Sequence, residues 1–411
     1  MRPGIQTLRQ LALSGMMATV ICTVVLHPAA AAAATYYAAT NGNDANPGTQ
    51  AQPFRTIRQG MSVLRAGDTL SLRAGTYSES INSNSQTIPT GTSWADAPRI
   101  VAYPSETVVI RGSYGNGINL AASYIRYVVF DGLSIDGGGV SIQNGAHHIR
   151  FQNGEIKNAL GQGIQGGFGS LATTNLELIN MRIHHNGNPT IISENPGSGG
   201  RYDHGIYVAI QNLLIDGCDI YENSGYGIQI YDSGGGRSNN SVIRNSRVHD
   251  NHGDGGVILS YGTNISFYNN IVYNHLNGVS ANYNASNVQF YNNTIYNHPS
   301  GSGIEVGAGA SGTVIKNNII YQNGQALLNY GTGTTSSNNL TSDPRFANPS
   351  SADFKLQSTS PAIDAGTTLG LVSVDFAGVQ RPYGAAYDIG AYEYRTGNAA
   401  PAAPTNVHVI R

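Results

Sequence analysis

The residues best suited to chemistry gather near the middle of the chain, in the run Arg201-Tyr202-Asp203-His204-Gly205-Ile206-Tyr207. A guanidinium, a carboxylate, an imidazole and a phenol here sit just ahead of a strand-like segment. On a uronic acid polymer such a set suits β-elimination. A cation neutralises the sugar carboxylate, a base removes the C5 proton and an acid assists the leaving oxygen. The expected cation is Arg201, or a Ca²⁺ ion held by Asp203 and Asp254, because Ca²⁺ takes oxygen ligands. His204 or Tyr207 is expected to move the proton. Hydrolysis is the alternative chemistry. Two of Asp203, Asp232 and Asp254 would then act as acid and base, with inversion if they stand about 6.5–9.5 Å apart. The His and Tyr beside Asp203 favour elimination. Asp and His ahead of a glycine also cap turns through side chain–backbone bonds, and capping accounts for Asp232 and Asp254 equally well.

These residues can meet only if the chain stacks on itself, and the sequence repeats in a way that stacks. VVFDGLSID, IRFQNGEIKN, LELINMRIHHN, LLIDGCDIYEN, SVIRNSRVHDN, ISFYNNIVYNH, VQFYNNTIYNH and TVIKNNIIYQN share one pattern. Alternating apolar residues lead through a small residue or Asn to Ile135, Ile156, Ile183, Ile220, Val248, Val272, Ile295 and Ile320. Most segments are followed by a Gly-led strand such as GIYV, GIQI or GVIL. Alternation predicts strands, and Gly and Asn between them predict turns. A repeat of roughly 25 residues with three short strands predicts a parallel β-solenoid. Two residues before the Ile/Val positions stand Leu133, Gly154, Met181, Cys218, Ser246, Asn270, Asn293 and Asn318. That column is expected to change from apolar to a ladder of bonded Asn amides, with Cys218 a buried, unreactive thiol.

Aligning the Gly-led strands puts Asp203 level with Gly225 and Asp254, and Tyr207 level with Gln229, Ile258, Ser280 and Glu305. Tyr231, Asp232 and Tyr261 follow at the next outward positions. Gln229, Tyr231, Asp232, Asp254 and Tyr261 are therefore the expected substrate-binding residues beside Asp203, His204, Tyr207 and Arg201. The interval from Ile183 to Ile220 is the longest between repeats, and long loops in compact repeats tend to carry function. A second column, Asp136, Lys157, His184, Tyr221, His249, Tyr273, Tyr296 and Tyr321, points outward. It could stack sugar rings, but Tyr also suits half-exposed strands, and the second reading is favoured. His185, His249, His252 and His275 lack zinc-ligand spacing.

The repeat resembles the right-handed parallel β-helix of the pectate-lyase-like superfamily. TNGNDANPGTQAQPFRTI and RAGDTLSLRAGTY resemble the opening segment of secreted β-helix proteins, and GTSWADAPRIVAYPSETVVI resembles the coil after it. SPAIDAG, QRP and DIGAYEY resemble the segment that closes bacterial β-helices. The resemblance implies an all-β fold and a place among lyases, hydrolases, epimerases and non-catalytic adhesins. It departs from the lyase branches in its catalytic groups. The only Lys residues are Lys157, Lys316 and Lys355, none beside Asp203 in register, and neither a dense Asp calcium motif nor a hydrolase Asp pair is evident.

The expected organisation is a signal peptide (1–34), an N-terminal cap (35–80), a parallel β-helix (81–340), a C-terminal end segment (341–395) and a flexible Pro/Ala tail (396–411). Arg2 and Arg9, an apolar run and Ala29–Ala34 make the export signal, which predicts a secreted protein in periplasm, surface or medium. No membrane span is expected after its removal. Charged residues are 11% of the chain and the formal net charge is −2 without a basic block, which excludes nucleic acid as a natural partner. An extracellular polysaccharide, bound by a monomer, is the expected partner. A non-catalytic carbohydrate-binding surface protein is the reading from outside the enzymes.

Overall fold

The computed structural model describes residues 32–112, 116–187 and 202–396. From Thr35 the chain winds into coils of three short strands, each strand pairing parallel with its counterparts above and below. The first column is a 12-stranded sheet running from Thr35–Ala38 to Thr335–Ser337. The second and third columns share an 18-stranded sheet. In the second column Ile135, Ile156, Ile183, Ile220, Val248, Val272, Ile295 and Ile320 stack in register, and all are buried. The third column pairs Tyr207 with Gln229, and the line continues through Ile258 and Ser280 to Glu305. The fold is the parallel β-helix that the repeat predicts.

Two polar ladders close the corners. Before the second column, the residue ahead of each ladder position takes a left-handed conformation and is Asn or Gly, as at Asn245, Asn269, Asn292 and Asn317. The next residue faces inward. Amide N–H groups of Cys218, Ser246, Asn270, Asn293 and Asn318 donate in turn to Ser246 Oγ and to Oδ1 of Asn270, Asn293, Asn318 and Asn339, at 2.9–3.1 Å. The apolar-to-Asn column is therefore as expected, with Cys218 buried and its thiol pushed up to about 12 by burial. A second ladder lies between the second and third columns. Asn186 N–H donates to Asn223 Oδ1 and Asn223 N–H to Asn251 Oδ1, and Asn251 Nδ2 donates to His275 Nε2. His275 N–H donates to His298 Nδ1 and His298 N–H to Asn323 Oδ1. Such chains satisfy backbone groups that burial would otherwise strand.

The segment 35–80, expected as a cap, itself supplies Thr35–Ala38 and Thr69–Leu72 of the first column and Gly75–Tyr77 of the second. Capping falls to helix α1 (Ile57–Val63). Thr56 Oγ1 accepts from Gln59 N–H at its start, and Ile57 and Met61 join the core.

Residues 341–395 lie along the flank of the solenoid. A hairpin of Phe346–Asn348 and Asp353–Leu356 brings Phe346, Phe354 and Leu356 onto Tyr273, Tyr296 and Tyr321. Left-handed corner residues hold the segment: Asn269 Nδ2 donates to Val374 O, Asn292 Nδ2 to Asp388 O and Asn317 Nδ2 to Thr367 O. The DIGAYEY motif closes a buried knot. Arg381 Nη1 reaches Glu393 Oε1 at 2.6 Å, and Glu393 accepts from the amides of Tyr383 and Asp388. The outward Tyr column is therefore covered by the chain's own end over these coils.

Candidate active site

Around Tyr207 the outward side chains of the third column, among them Gln165, Gln229 and Tyr231, are partly exposed among the described residues. On strand Ile206–Val208, Ile206 and Val208 point into the core and Tyr207 points out, as alternation requires. Gln165 stands beside Tyr207 on the preceding coil and Gln229 on the following one. The Phe168 ring lies 4.6 Å from the Tyr207 ring, and Tyr231 lies 6.5 Å away on the other side. Tyr231 meets the edge of Tyr261 at 5.3 Å, and Tyr261 stacks on Tyr283 at 5.3 Å with the planes within 9°. Tyr283 is 50% exposed. An aromatic track bordered by two carboxamides thus runs over several coils, a surface that fits the flat apolar faces of sugar rings while amides meet their hydroxyls.

Asp203 leads into this strand. Its carbonyl accepts from Gly225 N–H, and Gly187 approaches so closely that a Cβ there would stand 2.7 Å from Asp203 Cβ. The pairing of this column begins at Ile206, Ile228 and Val257, ahead of which the coils are joined through Gly225. Gly225 is buried, its N–H on Asp203 O and its carbonyl on Gly253 N–H.

His204 is turned inward and only 2% exposed. Its Nδ1 accepts from Tyr226 N–H at 2.9 Å, which puts its proton on Nε2. Its ring packs against Tyr207 at 5.3 Å and Tyr226 at 5.4 Å, and burial pulls its pKa down to about 4. A neutral, enclosed imidazole supports Tyr207 from behind rather than facing a polymer. Burial, with Tyr231 nearby, raises the Tyr207 phenol and keeps it protonated. Asp232 is committed to its own loop: Oδ2 accepts the Arg237 N–H at 2.6 Å. Arg237 in turn donates from Nη1 to Gly167 O and Gly169 O, fixing Phe168 against Tyr207. Arg201 lies outside the described residues.

Residues 36–302 match the family model for the Pel9A-like right-handed β-helix region. The chain belongs to this family. The uncharacterised protein YwoF of Bacillus subtilis (strain 168) is 26% identical over 347 residues, 72% of each chain. The crystal structure of pectate lyase Pel9A is similar with a TM-score of 0.65 at 18% identity, over 88% of this chain and 96% of that one. A rhamnogalacturonan lyase structure follows with a TM-score of 0.48 at 15% identity, over 76% and 90%. These structural likenesses are likenesses of fold.

Among the described residues of this Pel9A-like chain, carboxylates do not gather into a calcium site. Ca²⁺ takes six to eight oxygens. Asp203 and Asp254 are two coils apart, and among the described residues no group of three or more His, Cys, Asp or Glu side chains could hold a metal ion. Sequence reasoning missed Gln165, Phe168 and the supporting role of Arg237. Gln165 was within reach, since GIQG is one of the Gly-led strands. The placement of Phe168 depends on a loop pinned by Arg237, 68 to 70 residues away along the chain, and local pattern carries no sign of it.

Proposed function

We propose that this protein cleaves an acidic polysaccharide by β-elimination on the outward face of its third column. The observation that carries the reading is the partly exposed aromatic and amide track centred on Tyr207 among the described residues, beside Asp203, in a Pel9A-like chain whose other aromatic column is packed under its own C-terminal segment. In this reading the polymer lies along the track, held by Tyr231, Tyr261 and the amides of Gln165 and Gln229. Asp203 takes the C5 proton. Tyr207, kept protonated by burial, gives its proton to the leaving oxygen as the C4–O bond breaks and the C4–C5 double bond forms. Arg201 is assigned to the sugar carboxylate on its position in the sequence. His204 and Arg237 act at one remove, by holding Tyr207 and Phe168. Secretion, supported by the signal read in residues 1–34, gives the protein access to such a polymer.

Hydrolysis is the second reading. The sequence alignment of the Gly-led strands sets Asp203 and Asp254 two coils apart, a strand spacing of about 9–10 Å, near the upper end of the separation used for inversion. The test is a panel of uronate polymers followed by ultraviolet absorbance and by reducing ends. Elimination raises both, because the product carries a conjugated double bond. Reducing ends without absorbance would replace elimination by hydrolysis, and neither signal with retained binding would leave a binding protein.

A further inference from the structure

A different part of the molecule carries a second unusual cluster. Where the third column turns into the first, one residue per coil adopts a left-handed conformation. In five successive coils that residue is Asn: Asn175, Asn212, Asn240, Asn264 and Asn287, with φ from 51° to 58°. Asn fits this conformation at little cost. In the two preceding coils the same position holds Tyr127 (φ 48°) and His148 (φ 55°). His tolerates this conformation, whereas Tyr at positive φ is uncommon; among the described residues the chain places its other such Tyr, Tyr261 and Tyr283, in the aromatic track on the third column.

These rings build a surface. His148 stacks on Tyr127 at 4.4 Å, Trp94 sets its edge or face against both at 5.5 and 6.1 Å, and the Arg150 guanidinium lies 4.3 Å over Trp94. Trp94, Tyr127 and His148 are each only partly buried, and Arg126 alongside is exposed. His147 and His148 face one another through their Nδ1 atoms at 2.7 Å. One hydrogen fits between them, so the neutral pair turns one Nε2–H donor and one bare Nε2 acceptor away from each other. The comparable pair His184–His185 has no such freedom, because His184 Nε2 is held by Glu155 at 2.9 Å.

We propose that Trp94, Tyr127 and His148, with the His147 ring and Arg126, form a non-catalytic saccharide-binding subsite that takes a pyranose segment of an acidic polysaccharide. Aromatic faces meet the sugar's C–H faces, the histidine pair supplies both a donor and an acceptor for its hydroxyls, and Arg126 complements its carboxylate. The acidic class of the ligand rests on the function proposed above; the location of the subsite does not.

Trp94 is the chain's single tryptophan, so its emission reports this site alone. The full-length protein is titrated with oligogalacturonides and, in parallel, with a neutral galactan. Saturable quenching by oligogalacturonides is expected. It should weaken about fivefold in His148→Asn and in Tyr127→Asn, as loss of one ring contact implies, while Tyr207→Phe leaves it unchanged. His148→Asn installs the residue that this turn uses in later coils, so its thermal unfolding temperature should be equal or higher. No saturable response to either glycan, or wild-type affinity in both Asn variants, overturns the subsite. A response to galactan alone overturns the acidic class. If Tyr207→Phe retains full turnover while the Trp94 response behaves as expected, the groove assignment fails and the subsite stands.

Discussion

Replacing His298 by asparagine isolates the energetic role of the second ladder. His298 is fully buried between His275 and Asn323, and burial pulls its pKa down to about 4. An unfolded chain would give it a value near about 6.5. The folded pKa is thus depressed: the stability that a neutral His298 secures is fully present above about pH 6.5 and is lost as pH falls toward about 4. Between about pH 8 and about pH 5 this single residue weakens folding by about 2 kcal/mol, and the loss approaches about 3 kcal/mol below about pH 4. His275 acts with the same sign, its pKa held well below the ordinary value by burial and then by His298. Asn at 298 matches Asn251 and Asn323 in the same ladder and does not titrate. Urea unfolding followed by circular dichroism at the two pH values should therefore show His298→Asn losing about 2 kcal/mol less than wild type on acidification. An identical loss in both proteins would refute the reasoning, since it would mean that His298 is protonated without cost in the folded state.

Three further outcomes follow from the packing. Arg381→Met leaves Glu393 buried without its cation and should cost about 3–5 kcal/mol, with the C-terminal segment becoming cleavable by a protease that spares the wild type; an unchanged digestion pattern would count against the knot. Cys218 should resist thiol reagents in the native state and react at once in denaturant, because it is buried and its thiol is pushed up to about 12. His204→Ala removes the acceptor for Tyr226 N–H and opens a buried space, so unfolding should be easier by about 2–4 kcal/mol. If His204→Ala instead abolished turnover at unchanged stability, His204 would have to face the substrate.

The solenoid was legible because its physics is periodic. Each core Ile or Val recurs with the same neighbours, and the register read from those neighbours holds from Ile135 to Ile320. The pairing of Tyr207 with Gln229 was legible for the same reason. The second ladder was equally periodic: Asn186, Asn223, Asn251, His275, His298 and Asn323 each follow a core residue by three positions, yet Asn and His there read as ordinary turn residues. His204, expected as a proton-moving or turn-capping residue, is instead buried against Tyr207 and Tyr226. The C-terminal segment was not legible. It touches Asn269, Asn292 and Thr294 across roughly a hundred residues, through bonds that no local pattern encodes.

The most direct test of the central claim is the mass of the products that wild-type protein and Tyr207→Phe release from polygalacturonate. Wild type should release oligosaccharides one water lighter than hydrolysis products, and Tyr207→Phe should release them about a hundredfold more slowly while keeping its circular dichroism. Products of hydrolytic mass, or full activity in Tyr207→Phe, would contradict elimination on the third-column face.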